Sequence, residues 1–429
     1  MKKGINSIIL FLIVFILCNS VFFCQNAFAE ENPKSDCESY ALVDAETGQV
    51  LLGQKENTVM VPASTTKVMT AIIVLENSKL TDKVTVGENP ERAEGTSIGL
   101  KKGDQYTVED LLHGLLLESA NDCAEALAEH VGGTRQHFIE LMNKKAQDLK
   151  LTHTKFVNPS GLWEDDNVTT NKTTSYELSL ILKEALKYPD YVRISRVLNY
   201  KFPPLPGDTF EKWVNNKNEL LFKKNSFYYQ PTVAGKAGYT KKSKHTFTCA
   251  AQKDGRTLIV TIMKSSSKND YFPFIKYLFD YGFNNTTKVK LYSSGEKIAT
   301  YKTKDNTSVP LLTANDLYYT VDNKDFSTDV LKNKNSLKDS LKLKVNLPKN
   351  LNKVHFKKGD EVATASISVN NKDSLNIDLC SGITKEKENE LLSKFSNNSK
   401  TYIYITIGSL TVIFILYSFI KKSKRKKAQ

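Results

Sequence analysis

Hydrophobic spacing changes character several times along the chain. A largely apolar stretch from Ile8 to Phe23 follows Met1-Lys2-Lys3 and leads to Ala27-Phe28-Ala29. A basic start, an apolar run and small residues two apart have the form of a secretion signal, which assigns residues 1–29 to a leader outside the fold. From Ser39 to Leu52 the pattern predicts a hairpin around Thr47-Gly48. A helix is expected to open near Ser64 and run through Ala71–Leu75, and helical spacing returns over 107–131, 134–149 and 174–187. Strands follow at Thr246–Gln252 and Arg256–Met263, then a helix at Phe272–Tyr281. Helices in the middle and strands at both ends predict a sheet flanked by helices over 30–284.

After Asn284-Asn285-Thr286-Thr287 the period becomes that of strands. Lys288–Tyr292, Lys297–Tyr301, Leu317–Val321, Leu341–Val345 and Glu361–Val369 alternate apolar and polar residues between turn formers. That predicts a small all-β domain over 285–382. A charged stalk over 383–400 leads to a second long apolar segment, Tyr402–Ile420. Its length suits a membrane-crossing helix, placed at 401–420. The basic residues of 421–429 would stay in the cytoplasm, leaving everything before the helix outside the cell.

Charge and cysteine content change this picture little. Of the formal net charge of +13, Lys2 and Lys3 belong to the leader and six positive residues to the tail. What remains is mildly basic and gives no reason to expect a nucleic-acid partner. The four cysteines beyond the leader (Cys37, Cys123, Cys249 and Cys380) match neither a zinc pattern nor a disulfide framework. Cys123 and Cys249 fall in apolar elements and are expected as buried free thiols. The scattered histidines have no ligand spacing, so no metal is expected.

The candidate chemistry starts at Ser64-Thr65-Thr66-Lys67. A serine and a lysine three apart on a helix share a face. A serine hydroxyl needs a base to become a nucleophile near pH 7, and a lysine kept partly neutral by burial or nearby positive charge can be that base. Pro62 and Ala63 put Ser64 at a helix start, where backbone N–H groups are free. Alone, Ser64 fits a helix N-cap equally well, and Lys67 a solvated helix lysine. The apolar neighbours Val68, Met69, Ala71 and Ile72 argue against solvation. Two further stretches follow: Glu118-Ser119-Ala120-Asn121-Asp122 between apolar runs, and Gly235-Lys236-Ala237-Gly238-Tyr239-Thr240 before a strand.

The order S-x-x-K, S-x-N, K-x-G resembles the penicillin-recognising serine acyl-transferases. Within them the chain is similar to the low-molecular-mass D-alanyl-D-alanine carboxypeptidases. Ala41–Gly48, Phe156–Leu162 and Asn216–Leu221 add to the likeness, which spans roughly residues 35–285 and continues more weakly to about 380. The resemblance implies a β-lactamase-like α/β (α+β) catalytic domain, then a small all-β domain and the C-terminal transmembrane helix. It implies removal of the terminal D-alanine from peptidoglycan stem peptides, acylation by β-lactam antibiotics, and no cofactor. Ser64 would be the acyl-ester nucleophile and Lys67 its general base. Ser119 would relay a proton, and Asn121 would bond Lys67 and the substrate amide. Lys236 and Gly238 would bind substrate, and the N–H groups of Ser64 and Tyr239 would hold the oxyanion.

The chain departs from the family at three places. The third motif is usually Lys-Thr-Gly, and here it is Lys236-Ala237-Gly238. An arginine usually precedes the Gly-Phe pair, here Gly282-Phe283, and its place is taken by Tyr271. Asn158-Pro159-Ser160-Gly161-Leu162 carries serine where histidine is usual. The first two remove the usual anchors for the substrate carboxylate, for which Lys241, Lys242, Lys244 or Lys268 could substitute. An attenuated or non-catalytic wall-binding homologue is therefore the alternative reading. A β-lactamase would need a deacylating glutamate, of which Glu164-Asp165-Asp166-Asn167 is a faint echo.

Overall fold

The computed structural model describes residues 35–163, 170–207, 209–303, 306–326, 338, 341–348, 355–369 and 372–385. The leader, the acidic stretch 164–167, nearly all of the stalk, the apolar segment 402–420 and the basic tail lie outside these residues. Among the described residues no helix is long and apolar enough to cross a membrane.

The described residues divide into two compact units. The first runs to Leu291 and includes Tyr318–Leu341 and Val369–Leu375. Its centre is a five-stranded antiparallel sheet built from β1 (Ser39–Asp44), β2 (Val50–Gln54), β3 (Thr232–Thr240), β4 (Lys244–Lys253) and β5 (Arg256–Ser265). The order across the sheet is β2-β1-β5-β4-β3, so β3 lies at an edge. The hairpin expected at Thr47-Gly48 is present, and the first strand is inserted beside the last.

Side chains alternate across this sheet, as the two-residue period of a strand requires. Leu42, Phe247, Cys249, Leu258, Val260 and Ile262 pack with Phe272, Ile275, Leu278 and Phe279 of the 18-residue helix α5 (Lys268–Asn285). Ala41, Val43, Ala250 and Ile259 join the other core, with α1 (Lys67–Asn77), α2 (Asn121–Gly132), α3 (Arg135–Asp148) and α4 (Ser175–Ala185). Polar side chains start several helices: Thr134 Oγ1 accepts from His137 N at 3.1 Å, Thr174 Oγ1 from Glu177 N at 3.0 Å and Ser267 Oγ from Asn269 N at 3.1 Å.

One helix expectation needs correction. Residues 107–131 are not continuous: Val108–His113 is α-helical, Gly114–Glu118 is a π turn, and a new helix begins at Asn121. Ser119 breaks the run with φ 71° and ψ 31°. The unbroken Leu115-Leu116-Leu117 hides this break from a periodicity reading.

A buried ion pair joins the neighbouring strands β1 and β5 where they end and begin. Asp44 is fully buried and accepts from Arg256 Nε at 3.0 Å and from the backbone N–H groups of Glu46 and Thr47 at 3.1 and 3.3 Å. Arg256 also donates to the carbonyls of Gly282 and Thr286 at 3.0 and 3.1 Å. With the buried carboxylate and most of the guanidinium protons engaged, breaking one partner is costly. Arg256→Met is expected to destabilise this unit by about 3 kcal/mol, read by urea denaturation.

The second unit is a β module. Its antiparallel strands follow the order Lys297–Lys302, Ser308–Thr313, Lys372–Ser381, Glu361–Val369, Lys342–Asn346. Val309, Leu311, Phe356, Ala365 and Leu379 form its core. The expected strands at 288–292 and 317–321 instead pair with each other, as Thr286–Tyr292 and Leu317–Asp322.

Candidate active site

Ser64 lies in a 3-10 turn, Ala63–Thr66, that runs straight into α1. The turn is held from both sides. Thr65 Oγ1 donates to Pro62 O at 2.7 Å, and Thr246 Oγ1 of β4 donates to the same oxygen at 2.8 Å. Gly238 of β3 lies directly against the turn: a Cβ there would stand 2.4 Å from Thr246 Oγ1, 2.9 Å from Ser64 N and 3.0 Å from Pro62 O. Close approach of two backbones is what glycine permits here. Gly238→Ala is expected to leave the chain folded but slow labelling of Ser64 by a fluorescent penicillin at least tenfold, because Ser64 N must shift.

Lys67 is fully buried one turn later. Its Nζ lies 2.9 Å from Ser64 Oγ, 2.7 Å from Asn121 Oδ1 and 2.7 Å from the carbonyl oxygen of Ser160. Burial holds its pKa well below the usual lysine value, and the Lys236 charge lowers it further. That keeps an unprotonated population within reach of the serine hydroxyl, which is what a general base requires.

Asn121 is fixed at the first turn of α2. Its N–H donates to Thr96 O and its Nδ2 to Glu94 O, both at 2.7 Å, leaving Oδ1 for Lys67. The left-handed Ser119 places its Oγ in a buried position with no hydrogen-bond partner. An unsatisfied buried hydroxyl is costly, and such groups concentrate at working sites.

The Asn158–Leu162 loop supplies the third contact to Lys67. Thr70 Oγ1 donates to Pro159 O at 2.5 Å, and Gly161 N donates to Asn158 Oδ1 at 2.7 Å. Gly161 has φ +80°, and a Cβ there would meet Ala63 O at 1.9 Å. Lys67 uses the Ser160 carbonyl rather than its side chain, so serine in place of histidine leaves this contact intact. An open cavity of about 480 Å³ adjoins the group, lined by Asn121, Ser160, Leu162 and Trp163 among others.

Lys236 is also buried. Its Nζ donates to Ala237 O at 2.9 Å. Burial pulls its pKa down to about 7, against the attraction of Glu118. Glu118 is itself paired with Lys217 at 2.7 Å.

On the other side of β3, Tyr239 is half exposed and Tyr271 is buried. Of the lysines that could stand in as anchors, Lys268 pairs with Glu219 at 2.8 Å and Lys242 lies 4.6 Å from the Trp163 ring centroid. Lys241 and Lys244 are exposed on the β3–β4 turn. The structure thus links Ser64, Lys67 and Asn121 by hydrogen bonds, sets Gly238 against Ser64, and puts Lys236 close enough to Lys67 to act on its charge. The Ser160 carbonyl, Thr246 and the Glu118–Lys217 pair went unread in the sequence. A backbone acceptor leaves no residue-type signal, and the other contacts join distant segments.

Comparison with known proteins gives the family of the chain. The family model described as D-alanyl-D-alanine carboxypeptidase matches residues 26–267, and that of the penicillin-binding protein 5 C-terminal domain matches 287–387. The chain is 28% identical over 375 residues to D-alanyl-D-alanine carboxypeptidase DacF of Bacillus subtilis, covering 85% of this chain and 93% of that protein. It is 34% identical over 254 residues to D-alanyl-D-alanine carboxypeptidase DacB2 of Mycobacterium tuberculosis, covering 58% and 84%. The crystal structure of penicillin binding protein 5 from Haemophilus influenzae shares the fold, with a TM-score of 0.62 at 23% identity over 82% of this chain and 98% of that one. On the family match and these relatives, this chain belongs to the D-alanyl-D-alanine carboxypeptidase family.

Proposed function

We propose that this protein is a serine-type D-Ala-D-Ala carboxypeptidase that trims peptidoglycan stem peptides through an acyl-enzyme on Ser64. The observation that carries the reading is the 2.9 Å contact between Ser64 Oγ and a buried, pKa-lowered Lys67. Unprotonated Lys67 takes the Ser64 proton as Oγ attacks the carbonyl carbon of the penultimate D-alanine. The N–H groups of Ser64 and Tyr239 hold the oxyanion. Ser119 passes the proton to the departing D-alanine nitrogen and the C–N bond breaks. Water, activated by Lys67, then cleaves the ester and frees the shortened stem. Asn121 positions Lys67 and the substrate amide. Lys236 supplies positive charge beside the site, and Gly238 lets β3 approach. A β-lactam would stop at the ester because its opened ring stays attached. The catalytic unit works outside the cytoplasm, held to the membrane by the apolar segment 402–420 and its basic flank.

The test is to incubate the full-length chain in detergent with fluorescent penicillin, and separately with diacetyl-L-Lys-D-Ala-D-Ala while measuring free D-alanine. Labelling that disappears in Ser64→Ala, together with D-alanine release, is the expected result. Labelling that survives in Ser64→Ala defeats the proposal. Ala237 and Tyr271 favour a second reading, an attenuated homologue, which predicts labelling with negligible release.

A further inference from the structure

The wall of the site beside Gly238, on the α5 side of the sheet, is aromatic, and among the described residues it carries no fixed free cation. Ala237 packs against the cluster that contains Phe247 and Tyr271. Tyr239 faces His245 across the β3–β4 ladder, with ring centroids 4.6 Å apart. His245 lies 5.8 Å from Tyr271, which lies 5.7 Å from Phe247. Rings therefore run without interruption from the exposed rim at Tyr239 to the buried Tyr271.

The nearby charges do not convert this wall into an anion site. Burial lowers the His245 pKa below its usual value; Lys268 adds to that and Asp36 opposes it, so the ring is largely neutral at pH 7. Lys268 is engaged by Glu219, and Lys242 by the Trp163 ring. Lys236 donates to Ala237 O and loses its charge near neutrality. Lys241 and Lys244 remain at the exposed turn. A carboxylate desolvated against such a wall is unpaired, and aromatic faces are themselves negative. A neutral amide suffers neither penalty.

We infer that this site does not select for a free carboxylate on the leaving residue, and that it also cleaves D-alanyl bonds whose leaving group is neutral: an amidated D-amino acid, or a D-residue that continues into a peptide. The inference rests on the acyl-enzyme reading above. With the amidated peptide, Ser64 Oγ forms the ester and the D-alanyl C–N bond breaks. D-alaninamide departs with the proton that the serine gave up. Water then hydrolyses the ester and restores the serine. A terminal D-alanine remains a substrate with its carboxylate left in water.

The test compares kcat/KM of the full-length chain for diacetyl-L-Lys-D-Ala-D-Ala and for its C-terminal amide, following D-alanine and D-alaninamide by chromatography. The amide is expected to react at no less than about one-tenth the rate of the acid. A larger preference for the acid overturns the inference while leaving the acyl-enzyme reading intact. Release from neither peptide overturns the inference, and it overturns the acyl-enzyme reading too where Ser64 also fails to label with fluorescent penicillin. Ala237→Thr is a small change at a half-buried edge position, and it adds one hydroxyl able to meet a carboxylate. It should shift the ratio toward the acid by about tenfold. An unchanged ratio in that folded variant shows that the wall does not set the preference. Tyr271→Arg combined with Ala237→Thr should extend the shift further.

Discussion

Lys67→Met is expected to lower the rate of Ser64 acylation by fluorescent penicillin about 10³-fold, within the range of a lost general base. The variant should still fold. Removing Nζ leaves Asn121 Oδ1 and the Ser160 carbonyl without their 2.7 Å donor, but it also removes an amine whose ionised form is disfavoured by burial. The two effects oppose each other, so circular dichroism should show a far smaller change than the labelling rate. Lys67→Arg makes the comparison sharper. Arginine keeps a cation in place but does not give up its proton at working pH. If Lys67 acts only as a positive charge or a strut, Lys67→Arg should retain much of the activity. If it acts as a base, both variants should fail alike. In the unaltered protein, acylation should fall as pH drops and Lys67 protonates, with the midpoint well below the ordinary lysine value.

Lys236→Met should stabilise the protein while impairing it, and the stabilisation should depend on pH. The folded-state pKa of Lys236 is about 7, against 10.5 in the unfolded chain. Between those values the unfolded chain binds a proton that the folded one does not, so folding stability rises with pH across that window. Above about 10.5 the lysine carries no such penalty. Below about 7 the penalty is complete, on the order of 3–5 kcal/mol. Urea denaturation at pH 6 should therefore show Lys236→Met more stable than the parent by several kcal/mol, and the gap should close by pH 10.5. A gap equal at both pH values would show that side-chain packing, not ionisation, is responsible. Activity should move the other way. As pH rises through 7, Lys236 loses the positive charge it places beside the site, which puts the alkaline limb of the acylation profile near neutrality. Lys236→Arg, with a permanent charge, should push that limb upward if the larger head is accommodated.

Much of the catalytic group was legible because its information is local. Ser64 and Lys67 share a helical face by spacing alone, and the apolar residues after Lys67 foretold its burial. That Asn121 would reach Lys67 came from the family resemblance; nothing in the intervening residues encodes it. The break at Ser119 escaped detection because left-handed backbone is announced by glycine or asparagine, and serine announces nothing. The Ser160 carbonyl was invisible for a plainer reason, since every residue has one. Tyr271 was read only as an interruption of the usual pattern; its ring partners His245 and Phe247 lie on another element. In the β module the strands Ser308–Thr313 and Lys372–Ser381 were missed. The first carries Pro310, which reads as a strand breaker, and the second is polar over most of its length.

The position of β1 has a consequence for how the chain becomes a folded object. Its residues Ser39–Asp44 pair with Met263–Leu258 of β5, across more than two hundred intervening residues. A strand made first thus waits for the one made last before the sheet can close. Such long-range pairing slows folding, since the entropy of a large loop is lost before any contact compensates it. A nascent chain stopped short of Arg256 lacks both that strand and the guanidinium that Asp44 needs. The catalytic unit should therefore lock into shape as a whole and late. A polypeptide that stays loose until more than half of it has been made is one that can be threaded through a membrane before it folds.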